Sequence, residues 1–343
     1  MTFDFKLSTM HFIWKQKRLF VMKNNRSQSK TIELPDCAPD QVAIRTYFSG
    51  VSVGTEFALI RGKLSWKSYP LCTGYQGTGV VETVGSAIDN FSVGDEVYYR
   101  GNDNMALADG TEVGSVTGAH CSHIVTKPNT THGVAQLPKD APPDVACMYV
   151  MPAVGLNGVD MANPRMGQTA VVYGCGLIGL GVIAFCAQRG CTVIAVDINE
   201  KRLAVAKTMG ADQTMNAAEA EKEIGPEGAD IVFESTGLPE CVDPAIALCR
   251  THGSFVWQGN YGKKPITMNF LRPHGRRLQM FFPCDDGLQP CRRAVVKSMA
   301  NGSLNWEPCI SHRISFAEAP AMFQRINEGD TDDIIGVVIN WQT

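Results

Sequence analysis

Gly174-Cys175-Gly176-Leu177-Ile178-Gly179 places three glycines at the spacing Gly-x-Gly-x-x-Gly, and an acidic residue, Asp197, follows farther along. The chain has 33 glycines, so the spacing alone says little and its context must decide. Gly174 directly ends an apolar β-like run, Thr169-Ala170-Val171-Val172-Tyr173, and Gly179 falls inside the helical run that follows. In that setting the first glycine allows a tight turn and the second lets a pyrophosphate approach the backbone. The third lets helix and strand pack closely. Leu177 and Ile178 open the helix, whose free N–H groups and positive dipole end suit phosphate oxygens. Asp197 ends the next run, Thr192-Val193-Ile194-Ala195-Val196, roughly twenty residues on, where a carboxylate accepts hydrogen bonds from both ribose hydroxyls. It would also repel a 2′-phosphate, so NAD is favoured over NADP, although the nearby Arg202 could tolerate that phosphate.

These residues need an alternating strand and helix framework. Helical stretches are expected at Leu177 to Gln188 and Lys201 to Met209, and further strands at Ala229 to Phe233 and Ser254 to Trp257. Such alternation predicts a doubly wound parallel sheet of the Rossmann type. Upstream, to about residue 140, short β-like runs such as Gln41 to Tyr47, Gly79 to Val84 and Val93 to Tyr98 are broken by Gly, Pro and Asp. That punctuation predicts a compact β-rich domain. Pro142-Pro143-Asp144 opens an apolar helical stretch to about Val159, with Asp144 as its cap. Near the end, helices are expected at Cys291–Ala300 and Phe316–Asn327 and a strand at Ile334–Trp341. The expected division is an α/β chain with a β-rich catalytic domain over 1–150, completed by 284–343, and a Rossmann domain over 151–283.

The 343 residues are 44% hydrophobic and carry a net charge of -3, which fits two globular domains and offers no basic footprint for nucleic acid or an anionic membrane. No apolar run approaches the roughly 20 residues that span a bilayer. Lys15, Lys17 and Arg18 precede only Leu19-Phe20-Val21-Met22, too short for a signal-peptide core. A cytoplasmic protein is the expectation, and with it twelve reduced cysteines, none of them in a Cys-x-x-Cys pair.

Several segments together resemble the medium-chain dehydrogenase/reductase superfamily, the zinc alcohol dehydrogenase-like proteins, over nearly the whole length. They are Val196-Asp197-Ile198-Asn199-Glu200-Lys201-Arg202-Leu203-Ala204, Met209-Gly210-Ala211-Asp212 and the stretch from His312 to Phe323. Phe233-Glu234-Ser235-Thr236-Gly237 is similar to that family's segment near the nicotinamide, and Gly259 to a glycine ending a later strand. The resemblance implies a GroES-like first domain, an active site between the domains, a small-molecule substrate, and a homodimer or homotetramer. It adds Ser235, Thr236, Gly237 and Gly259 to the cofactor-binding residues.

The departures from that pattern concern metal. A cysteine of the family's metal site is replaced by Val53 in Gly50-Val51-Ser52-Val53-Gly54-Thr55-Glu56, and its Gly-His-Glu becomes Gly74-Tyr75-Gln76. Met151 precedes Pro152 where a glutamate is common, and residues 100–117 lack the cysteines of a structural zinc lobe. Valine has no donor, and neutral tyrosine, glutamine and methionine are poor zinc ligands. Neither zinc site is therefore expected. These motifs most resemble a zinc-lacking branch that includes bacteriochlorophyllide dehydrogenase-like proteins; the pigment substrate is not carried over.

Hydride transfer without a Lewis acid needs another group to handle the alcohol proton. Tyr75 stands at the vacated ligand position, and its phenol would need a lowered pKa or would act as a hydrogen-bond donor; filling the space left by metal is the alternative. Thr55 matches a proton-relaying hydroxyl of zinc-containing relatives. Glu56 could accept a proton, orient Tyr75, or hold its loop by a salt bridge. His120 and His123 lie on a strand that borders the cleft in the family, an odd step apart, so at most one points inward; His120 is favoured. Arg272, Arg276 and Arg277 could attract an acidic substrate or phosphates, or simply be solvated, and Trp66 and Tyr69 could cap the pocket or pack a loop. The expected activity is a zinc-independent, NAD-dependent oxidation of a secondary alcohol, a polyol or sugar derivative, to a ketone. The alternatives are reduction of an enone or quinone double bond and an NAD-binding sensor without catalysis.

Overall fold

The computed structural model describes residues 15–21, 27–34, 36–64, 69–102, 111, 113–115, 117–224 and 227–342. Two sheets organise the chain, with a smaller third beside them. The first is a six-stranded parallel sheet in the spatial order Gln213–Asn216, Thr192–Asp197, Thr169–Tyr173, Ala229–Glu234, Cys249–Trp257, Gln279–Phe281. Its central strands read as nearly unbroken apolar runs because helices cover both faces. The helix Leu177–Gln188 is buried along most of its length, so its sequence is apolar on every side instead of striped. It packs on the helix Val150–Ala162 at close range: a Cβ at Gly155 would come within 2.8 Å of the Val182 nitrogen, and one at Gly181 within 2.8 Å of the Pro152 Cα.

The second sheet has seven strands and is antiparallel apart from one edge pair. It is built from Val42–Val51, Gly77–Val84, Glu96–Tyr99, His123–Thr126 and Val134–Gln136, joined by His312–Ser315 and Val337–Asn340 from the far end of the chain. Val337 pairs with Val51 and Asn340 with Phe48, so the last strand lies beside the segment leading into Ser52 and Thr55. The third sheet unites Ser27–Glu33, Lys15–Val21, Leu71–Cys72 and Gly114–Ser115. Among the described residues no helix is long and apolar enough to cross a membrane.

Some expected boundaries move, for identifiable reasons. The helix expected to run on to Val159 is two helices, Pro143–Ala146 and Val150–Ala162. Pro152 lacks an N–H and is tolerated only in a first turn, which fixes a new start just before it. Asp144 is not a cap: Pro142 holds that position, and the Asp144 carboxylate accepts from Arg313 Nε at 2.9 Å. The helix expected from Phe316 begins at Ala319, with Pro320 in its first turn. Val93 and Gly94 form a turn, Gly94 at φ +96°, and the strand begins at Glu96. All twelve cysteines are free.

Candidate active site

The glycine turn expected to hold a cofactor is shaped by backbone. Gly174 has φ +101°, and a Cβ there would meet the Thr236 nitrogen at 2.9 Å, so only glycine suits the turn. Gly176 caps the helix Leu177–Gln188 and has nothing within 4 Å of its Cβ position, which leaves the helix N-terminus approachable at Leu177 and Ile178. A Cβ on Gly179 would lie 2.0 Å from the Gly174 carbonyl oxygen. Asp197 ends its strand with Oδ2 accepting from the Cys175 N–H at 2.6 Å and Oδ1 from the Asn199 N–H at 2.9 Å. The carboxylate thus ties the glycine turn to the next strand, while each oxygen keeps further acceptor capacity. Arg202 sits on the helix Glu200–Thr208, capped by Asn199, and its charge reaches Cys175 in the same turn.

Across the sheet, Ser235-Thr236-Gly237 follows the strand Ala229–Glu234. Gly237 is at φ +68° and a Cβ on Gly259 would meet its nitrogen at 2.5 Å, so the two turns are in contact. Sequence reasoning passed over what holds them. Glu234 is fully buried and accepts from the Thr236 N–H at 2.9 Å, from the Thr236 hydroxyl and from the Tyr261 hydroxyl. Burial pushes the Glu234 carboxyl up, against these hydrogen bonds. The Ser235 hydroxyl is buried without a partner among the described residues. A glutamate ending an apolar strand is the one sequence signal that pointed here. This frame of open helix end, glycine turns and strand-end carboxylate fits a nicotinamide dinucleotide.

The opposite wall is built from side chains of four separate segments. Glu56 opens the short helix Thr55–Ile60 and is fully buried, its Oε1 accepting from the Ser52 N–H at 2.7 Å. Its Oε2 meets His120 Nε2 at 2.9 Å. His120, also fully buried, has Nδ1 2.8 Å from the Ser49 hydroxyl, which in turn accepts from the Trp341 indole N–H at 2.8 Å. A carboxylate can only accept, so the contact with Glu56 places a ring proton on Nε2, and Ser49, accepting from the indole, is free to donate to Nδ1. His123 points the other way, partly exposed and 3.6 Å from Glu82.

Tyr75 lies nearby, 7% exposed, with the Ser52 and Thr55 hydroxyls beside its phenol and the Arg100 guanidinium 5.1 Å from its ring centroid. Burial raises its pKa and Glu56 adds to this, while the two hydroxyls and Arg100 pull the other way. The lowered value a general base would need is not found. At neutral pH the phenol keeps its proton and serves as a hydrogen-bond donor, not as a general base.

Gln76 faces away from Tyr75 and staples the break between the two helices: its Oε1 accepts from the Val150 N–H at 3.0 Å and its Nε2 donates to the Gly50 carbonyl at 3.4 Å. Val53 and Met151 add only apolar surface. Protonated tyrosine, valine, methionine and an engaged amide do not suit a tetrahedral zinc, and among the described residues no group of three or more His, Cys, Asp or Glu could hold a metal ion.

Residues singled out on weaker grounds lie elsewhere. Arg276 donates to the carbonyls of Ala247 and Cys249, Arg272 pairs with Glu221, and Arg277 contacts His252, so none of them faces the glycine turn. The Tyr69 hydroxyl donates to the Ile60 carbonyl at 3.1 Å and packs its own loop. Trp66 falls outside the described residues.

Residues 38–139 match the alcohol dehydrogenase GroES-like domain family and residues 178–300 the zinc-binding dehydrogenase family. The chain belongs to the zinc alcohol dehydrogenase-like medium-chain dehydrogenase/reductase superfamily. Its relatives are NAD(P)-dependent oxidoreductases acting on CH–OH groups. The chain is 30% identical to alcohol dehydrogenase 6 of Peromyscus maniculatus over 274 residues, 67% of this chain and 73% of the relative. Sorbitol dehydrogenase 2 of Saccharomyces cerevisiae is 27% identical, covering 73% and 76% respectively. In fold, this medium-chain dehydrogenase matches a putative zinc-binding dehydrogenase from Sinorhizobium meliloti 1021 bound to NADP, with a TM-score of 0.82 at 20% identity, over 95% of this chain and 99% of the other.

Proposed function

We propose that the protein is a zinc-independent, NAD-dependent dehydrogenase that interconverts a secondary alcohol, a polyol or sugar derivative, and its ketone. The observation that carries this reading is the buried Tyr75 phenol, flanked by the Ser52 and Thr55 hydroxyls and backed by the Glu56–His120 pair, at the position where relatives carry a metal ligand. The dehydrogenases of alcohols and sorbitol among its relatives support the substrate class.

A nicotinamide held here would supply or accept the hydride. Asp197 accepts hydrogen bonds from the ribose hydroxyls and disfavours a 2′-phosphate. Leu177, Ile178 and the N–H groups of the helix start hold the pyrophosphate. Thr236, Gly237 and Gly259 border the nicotinamide. In the reduction direction Tyr75, kept protonated by burial, donates its hydroxyl hydrogen to the carbonyl oxygen and gives up the proton as hydride reaches the carbon. Thr55 and Ser52 pass a replacement proton to the phenol. Glu56, fixed by the Ser52 N–H and by His120, holds the loop that carries both hydroxyls. A ketone, a hydride and a proton become an alcohol, with nothing left over.

The test is NADH and NADPH oxidation by chelator-treated protein against ketones, ketoses, enones and quinones. Turnover on ketones or ketoses with NADH supports the reading. Turnover confined to enones or quinones makes the protein a double-bond reductase, and tight NADH binding with no turnover at all makes it a sensor.

A further inference from the structure

Arg100 follows the strand Glu96–Tyr99 and is a nearly buried cation, its side chain 11% exposed. Its guanidinium lies over the Tyr75 ring, 5.1 Å from the centroid. Its Nη1 donates to Asp286 Oδ2 at 2.6 Å, and its Nε is buried with no acceptor among the described residues. Asp286 is fully buried and belongs to the segment after the last strand of the parallel sheet, just before the helix Leu288–Ala300. The same carboxylate is gripped by Arg292, with Nε at 2.6 Å from Oδ2 and Nη2 at 2.7 Å from Oδ1. Arg292 also donates to the Thr131 carbonyl at 2.8 Å and contacts His132 Nδ1 at 2.7 Å. A guanidinium buried with an unpaired N–H costs more than it returns as mere loop packing.

We propose that Arg100 is a positioning residue for Tyr75, and that Asp286 holds it in place across the cleft. This rests on Tyr75 being the proton donor of the reaction. The planar cation fixes the ring face and opposes the negative charge that grows on the phenol oxygen as its proton leaves. Asp286 anchors Arg100 at 2.6 Å, and because the same carboxylate also pairs with Arg292, its single negative charge is shared between two guanidiniums and leaves a net positive charge beside the ring. The charged and titratable groups around this pair are Glu56 and His120 on one side, Asp286, Arg292, Asp285 and His132 on the other, with Tyr149 and Tyr98 behind. Among those that shift Tyr75, Arg100 is the cation and Glu56 the opposing anion.

The test compares Arg100→Met, Arg100→Lys and Tyr75→Phe in the full-length protein, using the ketone with the highest turnover and NADH, with kcat and KM followed from about pH 7 to about pH 12, a range that reaches above the ordinary phenol value of about 10. Arg100→Met should lower kcat about tenfold while KM changes little, and should move the alkaline limb of the profile, where the phenol loses its proton, to higher pH. Arg100→Lys should recover the position of that limb in part, since the charge remains without the flat contact. NADH affinity, read by fluorescence, should be unchanged in all three, which shows that they fold. An unmoved limb in Arg100→Met, or a rise in KM with kcat intact, would overturn the proposal; the second result would make Arg100 a substrate-binding cation. Undiminished activity in Tyr75→Phe would instead refute the reading of Tyr75 itself, so the two failures are told apart.

Discussion

The two walls of the cleft are made of different material. On the cofactor wall the shape comes from backbone: a Cβ at Gly174 or Gly179 would clash, Gly176 leaves the helix start open, and Asp197 ties the turn to the neighbouring strand through a backbone N–H. On the facing wall the shape comes from side chains that are distant in sequence, such as Ser49 and Trp341, whose hydrogen bond closes a separation of 292 residues. NAD and NADP share the pyrophosphate that such a turn holds, and a rigid backbone mould suits it. The other wall decides which oxygen is protonated, and interchangeable side chains allow that chemistry to change while the mould stays.

This contrast can be broken by separating binding from turnover. Tyr75→Phe is expected to lower kcat on the order of 100-fold or more, as loss of a positioned proton donor does, with NADH affinity unaltered. Loss of NADH binding in that variant would erase the distinction between the walls. Gly179→Ala should act in the opposite sense. With its Cβ 2.0 Å from a carbonyl oxygen it must push the helix off the strand, at about 1–3 kcal/mol of stability, read as a lower Tm together with weaker NADH binding. Asp197→Asn should weaken NADH binding about tenfold, the loss of one charged acceptor, and narrow the preference over NADPH, with kcat at saturation preserved. Ser49→Ala strips partners from the Trp341 N–H and His120 Nδ1 and should cost about 1–2 kcal/mol in denaturant unfolding.

The smallest effect concerns acid. Burial alone would raise the Asp286 carboxyl, but the Arg292 hydrogen bonds and the charges of Arg100 and Arg292 outweigh it and hold the group below its ordinary value. A carboxylate depressed in the folded state contributes stability that is present above its unfolded pKa, about 4, and is lost as pH falls through the folded value. Tm should therefore drop more steeply below about pH 4 in the wild type than in Asp286→Asn, whose Tm is lower at pH 7 but flatter in that range.

How much of this could be read from the chain follows the same division. Thr169–Tyr173 and Leu177–Gln188 were legible because strand and helix there are set by local apolar runs and by glycines with local reasons. The strand Gln213–Asn216 and the edge strand Gln279–Phe281 were not, since each is short and half exposed, and its pairing partner supplies the order. On the reaction wall the types Tyr75, Thr55, Glu56 and His120 could be named, but not their connections. Ser49 and Trp341 carry no motif, and Arg100 and Asp286 meet only because two distant segments fold against each other. Gln76 was a metal-ligand position in the sequence and is a staple of Val150 in the fold.

One measurement bears on the centre of this account: ketone turnover and metal content determined on the same chelator-stripped sample, wild type beside Tyr75→Phe. The account predicts that stripped wild-type protein, free of zinc, oxidises NADH at its full rate and that the phenylalanine variant does not. Turnover that disappears on stripping and returns with stoichiometric zinc would contradict it.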